Sequence, residues 1–267
     1  MEGLLRVFSY GHNVDLIVSH PSDQYEEYYM LNPYVGVKYF NKFEPTSSTN
    51  DIFLKSKPEN GFRIFIMGSS TTFGFPYDRN LMASRILHKR LSDSYPDKLV
   101  EVINTSITAI NSVTLKDYIG QILDYEPDAI ILYAGHNEFY GAFGVASNER
   151  MSENSLLQNL HFKFINLRIY QLLRSTISWL SAQLASESAS ASSKGTLMKR
   201  IVQDENITYK GEKYIKGIEQ YRSNLSYIIN ECKGENVPLL ISDLVSNIRD
   251  LPPFGDSEKE KLSAKLK

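Results

Sequence analysis

Three short polar clusters in this chain carry the residue types that acyl transfer requires. They are Ser69–Thr72, Asn104–Ala109 and Gly135–Glu138. Acyl transfer needs a nucleophile, together with preorganised donors that face the oxyanion as it forms. A serine hydroxyl can supply the first, and backbone N–H groups and an asparagine amide can supply the second. We therefore interpret Gly68–Gly74 as a strand-to-helix turn that presents a nucleophilic serine, Ser70.

Each cluster directly follows a short apolar run that predicts a buried strand. Apolar residues at helical spacing lie between the runs, and strands that alternate with helices indicate βαβ units and a parallel sheet. Ligands bind such a sheet at the carboxyl ends of its strands, so the three clusters are expected to meet at one edge. The predicted strands are 63–67, 99–103, 129–133 and 237–242, and the predicted helices are roughly 81–91, 114–125 and 211–232.

The expected fold is a three-layer α/β/α sandwich with a mostly parallel, flavodoxin-like sheet. Residues 61–255 form this α/β domain, and residues 1–60, rich in aromatic and turn residues, form an irregular segment that packs on its core. Residues 256–267 look like the start of a further helix, cut short. The chain is long enough for one large domain with an insertion.

The α/β pattern is interrupted by an insertion over about residues 145–210, between the third and fourth strands. Residues 155–184 read as one long amphipathic helix, and a flexible Ser/Ala stretch follows over 181–194. The insertion is interpreted either as a lid over the site or as a helix packed on the rim.

Composition excludes several classes of function. The net charge of −2 lacks the basic excess that nucleic-acid binding needs. No stretch is long and apolar enough to span a membrane. Cys232 is the one cysteine, which excludes an internal disulfide and a CxxC metal site, and no His, Asp and Glu cluster has metal-ligand spacing. We predict no metal and no cofactor.

The three clusters together resemble the SGNH, or GDSL-type, serine hydrolase superfamily over roughly residues 60–250. The first block of that family, GDSxTxG, matches Gly68–Gly74 with serine in place of aspartate at position 69. The resemblance implies that Ser70 is the nucleophile and that its own N–H is one oxyanion donor. It implies a second donor in the N–H of Ala109, where the family has glycine. The third block, GxND, matches Gly135–Glu138, so that Asn137 is the side-chain donor and glutamate replaces aspartate.

A narrower resemblance is to bacterial SGNH-type proteins that also carry tetratricopeptide repeats. It rests on Arg63–Gly68, Ala109–Ser112, Tyr133–Gly141 and Asn247–Phe254. It implies a membrane-associated, extracytoplasmic location in the bacterial cell envelope, with a membrane anchor or repeats outside this chain. We expect the substrate to be a small-molecule or glycan ester.

The catalytic base of the superfamily comes from a late Asp-x-x-His block, and this chain has no match to it. None of its histidines has Asp or Glu three residues earlier: His12, His20, His88, His136 and His161. Either the chain is an N-terminal fragment whose base follows Lys267, or the protein is a degenerate hydrolase that binds without turnover. A third reading makes His136 the base, because it follows the third strand. We expect the 267-residue chain alone to have little or no esterase activity.

The sequence thus predicts a serine-dependent ester hydrolase or acyl (acetyl) transferase. The alternative is a catalytically incomplete binding or scaffold domain. Taken alone, Ser70 could simply cap a helix, as serine often does, and the Ser/Thr-rich loop also resembles the phosphate loops of flavin-binding flavodoxins. No lysine follows as in GxxxxGK[ST], which argues against a nucleotide phosphate loop. Asn104 and Asn137 at the neighbouring strand ends favour the nucleophile.

Overall fold

The computed structural model of the protein describes residues 1–40, 49, 51–148, 155–184 and 207–245. The strands are β1 (Ile17–Ser19), β2 (Tyr28–Leu31), β3 (Ile52–Leu54), β4 (Gly61–Gly68), β5 (Leu99–Asn104), β6 (Ala129–Tyr133) and β7 (Leu239–Ile241). The helices are α1 (Glu2–Val7), α2 (Ser70–Phe73), α3 (Ala83–Ser94), α4 (Ser112–Leu123), α5 (Ser155–Phe164), α6 (Arg168–Leu184) and α7 (Glu212–Gly234).

Strands β4 to β7 form a parallel sheet in the order β5-β4-β6-β7. If the four strands of this sheet are numbered 1 to 4 along the chain, their order in the sheet is 2-1-3-4, which is the flavodoxin-like arrangement. The register pairs Ile66 with Asn104 and Gly68 with Tyr133. The carboxyl ends of β4, β5 and β6 therefore meet at one edge of the sheet.

Both faces of the sheet are buried, as the apolar character of β4 requires. Phe65 and Met67 belong to a large core formed with α4, α7 and the N-terminal segment. Ile64 and Ile66 point to the opposite face, where a smaller core packs against Leu87 of α3. Successive side chains of a strand point to opposite faces, so one strand serves both cores. The predicted three-layer α/β/α sandwich is confirmed.

The N-terminal segment differs from the irregular stretch predicted there. Strands β1, β2 and β3 form a small antiparallel sheet. Its buried side chains, including Leu31 and Phe53, join the larger core. These strands have only three or four residues, too short for an alternating pattern to be recognised, and they are stabilised by packing onto the α/β domain.

Arg63 of β4 ties this segment to the sheet. Its side chain is 1% exposed and lies over the ring of Phe53, 4.9 Å from the centroid. The guanidinium donates to the Leu54 carbonyl at 2.7 Å, to Glu101 of β5 at 2.7 Å and to the Tyr125 carbonyl at 2.8 Å. A buried guanidinium requires such partners. Arg63 therefore joins β3, β5 and the end of α4.

The insertion after β6 contains two helices where a single helix over 155–184 was predicted. The helical hydrogen bonds stop at Phe164 and resume at Arg168. Asn166 in the break donates to Asp15, and the carboxylate of Glu2 accepts from the first N–H groups of α6. The N-terminal segment thus supplies the contacts that separate the two helices.

Most of the predicted flexible stretch over 181–194 and the predicted helix start over 256–267 lie outside the described residues, although residues 181–184 belong to α6. No helix in the described part of the chain combines the length and apolar character needed to cross a bilayer.

Candidate active site

The turn after β4 is built by close backbone packing. A Cβ at Gly68 would lie 1.9 Å from the Thr72 hydroxyl and 2.6 Å from the Tyr133 carbonyl, so this position requires glycine. The buried Thr72 hydroxyl donates to that same carbonyl at 3.1 Å, which fixes the turn to the end of β6. Helix α2 ends at Gly74, whose φ of +94° is left-handed.

Ser70 is the first residue of α2 and is partly exposed at this edge. Within the described residues its hydroxyl has no hydrogen-bond partner, and Ser69, at the N-cap position, makes no side-chain cap. The hydroxyl of Ser70 is thus available to a ligand. Helix capping does not account for either serine.

Asn104 at the end of β5 contacts this turn through its side chain. The fully buried amide donates to the Thr72 carbonyl at 2.9 Å and to the Ser84 hydroxyl at 3.3 Å, and its oxygen accepts from the Ser106 N–H at 3.1 Å. Its own N–H donates to the carboxylate of Asp51. Asn104 therefore holds the serine turn in place through the Thr72 carbonyl.

Asn137 lies buried beside the serine turn. Its amide donates to the Ser69 hydroxyl at 2.6 Å and to the Ile110 carbonyl at 3.2 Å. The asparagine after β6 is thus brought next to the residue that precedes Ser70. It also connects that turn with the loop that follows β5.

Ala109 lies in the loop after β5 and is buried. Its φ of +62° is left-handed, which is uncommon for a residue with a Cβ. The Ala109 carbonyl accepts from the Ala142 N–H at 3.0 Å, which ties this loop to the segment that follows Asn137.

His136 lies at the same edge but is engaged elsewhere. Its exposed ring is edge-on to Tyr133, and Nε2 lies 3.1 Å from the Val245 carbonyl. It makes no hydrogen bond to Ser70 in the structure. Among the described residues no group of three or more His, Cys, Asp or Glu residues lies close enough together to hold a metal ion.

The other histidines lie outside the serine turn. His12 stacks on Tyr34, His20 accepts from a neighbouring N–H, and His88 is exposed on α3. His161 is buried between the Tyr170 hydroxyl and the Lys38 carbonyl, both at 2.9 Å. Burial lowers the pKa of His161 to about 4, so the ring is neutral at pH 7.

Glu138, the glutamate that replaces aspartate in the third block, is buried. It accepts from the Ser112 hydroxyl at 2.6 Å and from the Ser112 N–H at 3.2 Å, at the start of α4. Burial raises the pKa of Glu138 to about 7, against the opposing effect of these two hydrogen bonds. No local sequence signal indicates that burial, because it depends on how α4 and α7 pack over the loop.

A cavity of about 620 Å³ lies away from Ser70, between α4, α5 and α7. Gln158, Asn159 and Phe162 of α5 line it together with residues of the other two helices. The first helix of the insertion thus borders the same cavity as α4 and α7.

No family model matches the chain, and no curated protein matches it. Several solved structures are similar to it. TesA is 15% identical, with 76% of this chain and 69% of that chain covered and a TM-score of 0.37. AlinE4, described as an SGNH-hydrolase family esterase, is 14% identical over 79% of this chain and 95% of its own, with a TM-score of 0.36. The psychrotrophic esterase EstA from Pseudoalteromonas sp. is 16% identical over 76% and 98%, with a TM-score of 0.32.

Proposed function

We propose that the protein is a serine-dependent ester hydrolase with Ser70 as its nucleophile. The observation that carries this proposal is the contact of the Asn137 amide with the Ser69 hydroxyl at 2.6 Å. This contact places the buried Asn137 amide beside Ser70, which is partly exposed at the carboxyl edge of the parallel sheet and whose hydroxyl makes no hydrogen bond within the described residues. Preorganised donors next to a nucleophile are what acyl transfer requires.

In the proposed reaction the Ser70 hydroxyl attacks the ester carbonyl and loses its proton to a base. The negative charge on the former carbonyl oxygen is stabilised by the N–H groups of Ser70 and Ala109 and by the Asn137 amide, one N–H of which leaves the Ser69 hydroxyl to donate to the oxyanion. The tetrahedral intermediate expels the alcohol, which takes up the proton, and water then releases the acid from Ser70. The Ser70 N–H lies at the start of α2, where backbone donors are free.

We further infer that the base is a histidine supplied by residues that follow Lys267. The position of Leu244 and Val245 supports this, because both residues lie against the loop that follows β6. A Cβ at Gly135 would lie 2.6 Å from Leu244, and the carbonyl of Val245 is bonded to His136. The last described residues after β7 therefore lie next to the loop that carries Asn137. His136 remains the second candidate, which requires its ring to leave the Val245 carbonyl.

The resemblance to SGNH-type proteins extends the proposal to substrate and location. The ester would belong to a small molecule or a glycan, and acyl or acetyl transfer to another hydroxyl would compete with hydrolysis. The protein would act at the bacterial cell envelope, with an anchor or tetratricopeptide repeats outside this chain.

The test uses the full-length protein and compares Ser70→Ala with Thr71→Ala. Thr71 is the adjacent exposed hydroxyl of the same short helix. We expect a fluorophosphonate to label the peptide that contains Ser70, and Ser70→Ala to lower kcat/KM for p-nitrophenyl acetate by about three orders of magnitude or more. Thr71→Ala should retain both labelling and activity.

Two results would overturn the proposal. If Ser70→Ala hydrolyses the ester as the wild type does, another residue is the nucleophile. If the full-length wild type is neither labelled nor active, the domain is a binding module, which was the alternative expected from the sequence.

A further inference from the structure

Two loops carry the proposed oxyanion donors, and direct hydrogen bonds join them. The Ala142 N–H donates to the Ala109 carbonyl at 3.0 Å, and the Asn137 amide donates to the Ile110 carbonyl at 3.2 Å. In the opposite direction, the Asn111 amide donates to the main-chain carbonyl of Glu138 at 3.2 Å. The positions of the two donors therefore depend on each other.

The carboxylate of Glu138 adds a charged contact to this connection. Its side chain is 4% exposed, and both of its oxygens accept from Ser112, the residue that starts α4 directly after the Ala109 loop. The N-terminus of α4 favours a negative charge there, and charge-assisted hydrogen bonds are stronger than neutral ones. The chemistry proposed for the site uses neither Glu138 nor Ser112.

We propose that the Glu138 carboxylate is a positioning group that holds the two donor loops in register, through the Ser112 amide and hydroxyl. This inference rests on the proposed function, because it concerns the donors of that reaction. In its ionised form the carboxylate accepts from both Ser112 groups. When it is protonated it is a weaker acceptor, and the loop of Ala109 is held less firmly against Asn137.

The groups that face Glu138 come from α4 and α7. Ser112 lies on α4, and from α7 the Asn224 amide donates to the Ser112 hydroxyl at 2.9 Å. Tyr221 of α7 donates from its hydroxyl to the Ala134 carbonyl at 3.0 Å, and burial together with the nearby Glu138 charge raises its pKa. Among the described residues no Lys or Arg forms an ion pair with Glu138. Its negative charge is therefore stabilised by Ser112 and by the N-terminus of α4.

The kinetic test compares Glu138→Gln and Glu138→Asp in the full-length protein. The matched control is Asp117→Asn, which neutralises a mostly buried carboxylate of the same helix α4, where it pairs with Lys38 at 2.5 Å. We expect Glu138→Gln to lower kcat about tenfold with little change in KM, because small misplacements of reacting groups cost about that much or more. Glu138→Asp should retain more of kcat than Glu138→Gln, and Asp117→Asn should retain all of it.

The dependence of kcat on pH distinguishes a positioning role of Glu138 from a purely structural one, which would leave this dependence unchanged. Wild type should lose kcat as the pH falls through about 7, where Glu138 takes up its proton. The proposed histidine base also titrates in this range, so Glu138→Gln should keep only the inflection of that base, and the profile of Asp117→Asn should match that of the wild type. A profile of Glu138→Gln that matches the wild type, with an unchanged kcat, would overturn the proposal.

A measurement on the wild type without turnover separates this proposal from the proposed function. In an NMR titration, the Ser112 N–H, the Ala142 N–H and the Asn137 side-chain amide should all shift with one midpoint near pH 7. If Ser112 alone shifts, Glu138 is a local helix cap and does not position the donors. If all three shift but Ser70→Ala leaves hydrolysis intact, the coupling stands and the proposed function fails.

Discussion

Ala109 combines a buried position with a left-handed backbone, two properties that limit what can replace it. Its N–H is a proposed oxyanion donor, and its carbonyl is held by Ala142. A Cβ at a φ of +62° costs about 1 kcal/mol or more, which the surrounding hydrogen bonds offset. The loop therefore keeps a strained conformation at the site where a donor has to be aimed.

Substitutions at Ala109 should follow backbone preference. Ala109→Gly relieves the strain and adds disorder to the unfolded chain, so we expect the free energy of unfolding to change by less than about 1 kcal/mol. Ala109→Val puts a β-branched side chain at the same φ in a packed site, and it should cost about 2 kcal/mol or more. Urea unfolding measures both. Equal stability of the two variants would contradict the left-handed conformation.

Helix α4 begins at the active-site edge, and its start is set by Asn111. The Asn111 side-chain oxygen accepts from the Val113 N–H at 3.1 Å, and its amide donates to the Glu138 carbonyl. One buried side chain therefore both caps the helix and connects it to the loop after β6.

Asn111→Ala should lower the free energy of unfolding by about 1 to 2 kcal/mol, because it removes a cap and leaves buried backbone groups without partners. Asn111→Ser is the matched variant, since its hydroxyl can cap the helix but cannot reach the Glu138 carbonyl as an amide does. We expect its loss to be smaller. Chemical denaturation measures the three proteins, and an Asn111→Ala protein as stable as the wild type would show that α4 does not depend on this cap.

The elements of the α/β domain were predictable from sequence because each of them carries its own signal. The strand Ala129–Tyr133 is an apolar run ended by glycine, and α7 has apolar residues at helical spacing. The break between α5 and α6 has no such signal. It contains no proline or glycine, and its cause lies in contacts of Glu2 and Asn166 with residues more than 150 positions away.

The candidate site also contains some residues that were predictable from the sequence and others that were not. Ser70, Asn104 and Asn137 could be located from the sequence because each follows a strand, and parallel strands bring their carboxyl ends together. The burial of Glu138 and its hydrogen bond to Ser112 could not be predicted from the sequence, because they arise where α4 and α7 cover the loop. Tertiary packing determines the ionisation of a group, and no short segment encodes it.

Buried ionisable groups connect distant segments of the chain, and their titration changes the stability of the whole molecule. His161 joins the insertion to the N-terminal segment through the Lys38 carbonyl. Its pKa falls from 6.5 to about 4 on burial, so the neutral ring adds stability that is present above pH 6.5. That stability is lost as the pH falls toward 4, because the unfolded chain takes up the proton first.

This trend predicts how stability depends on pH. Between pH 7.5 and 4.5 the wild type should lose about 2 to 3 kcal/mol that His161→Gln does not lose. The raised pKa of Glu138 acts in the opposite direction over part of this range, but both proteins contain it. Urea unfolding at the two pH values gives the difference. His88→Gln, at an exposed position of α3, is the control and should behave as the wild type does.

The contacts of Arg63 determine the smallest portion of this chain that can fold by itself. Without β3 the guanidinium would lose the Leu54 carbonyl and the Phe53 ring, and it would keep a charge that the remaining sheet compensates only in part. The boundary that the sequence suggests at Gly61 therefore does not separate independent units. We expect a shortened form that lacks the N-terminal sheet to be less stable than one that retains it, because the Arg63 guanidinium then lacks two of its partners.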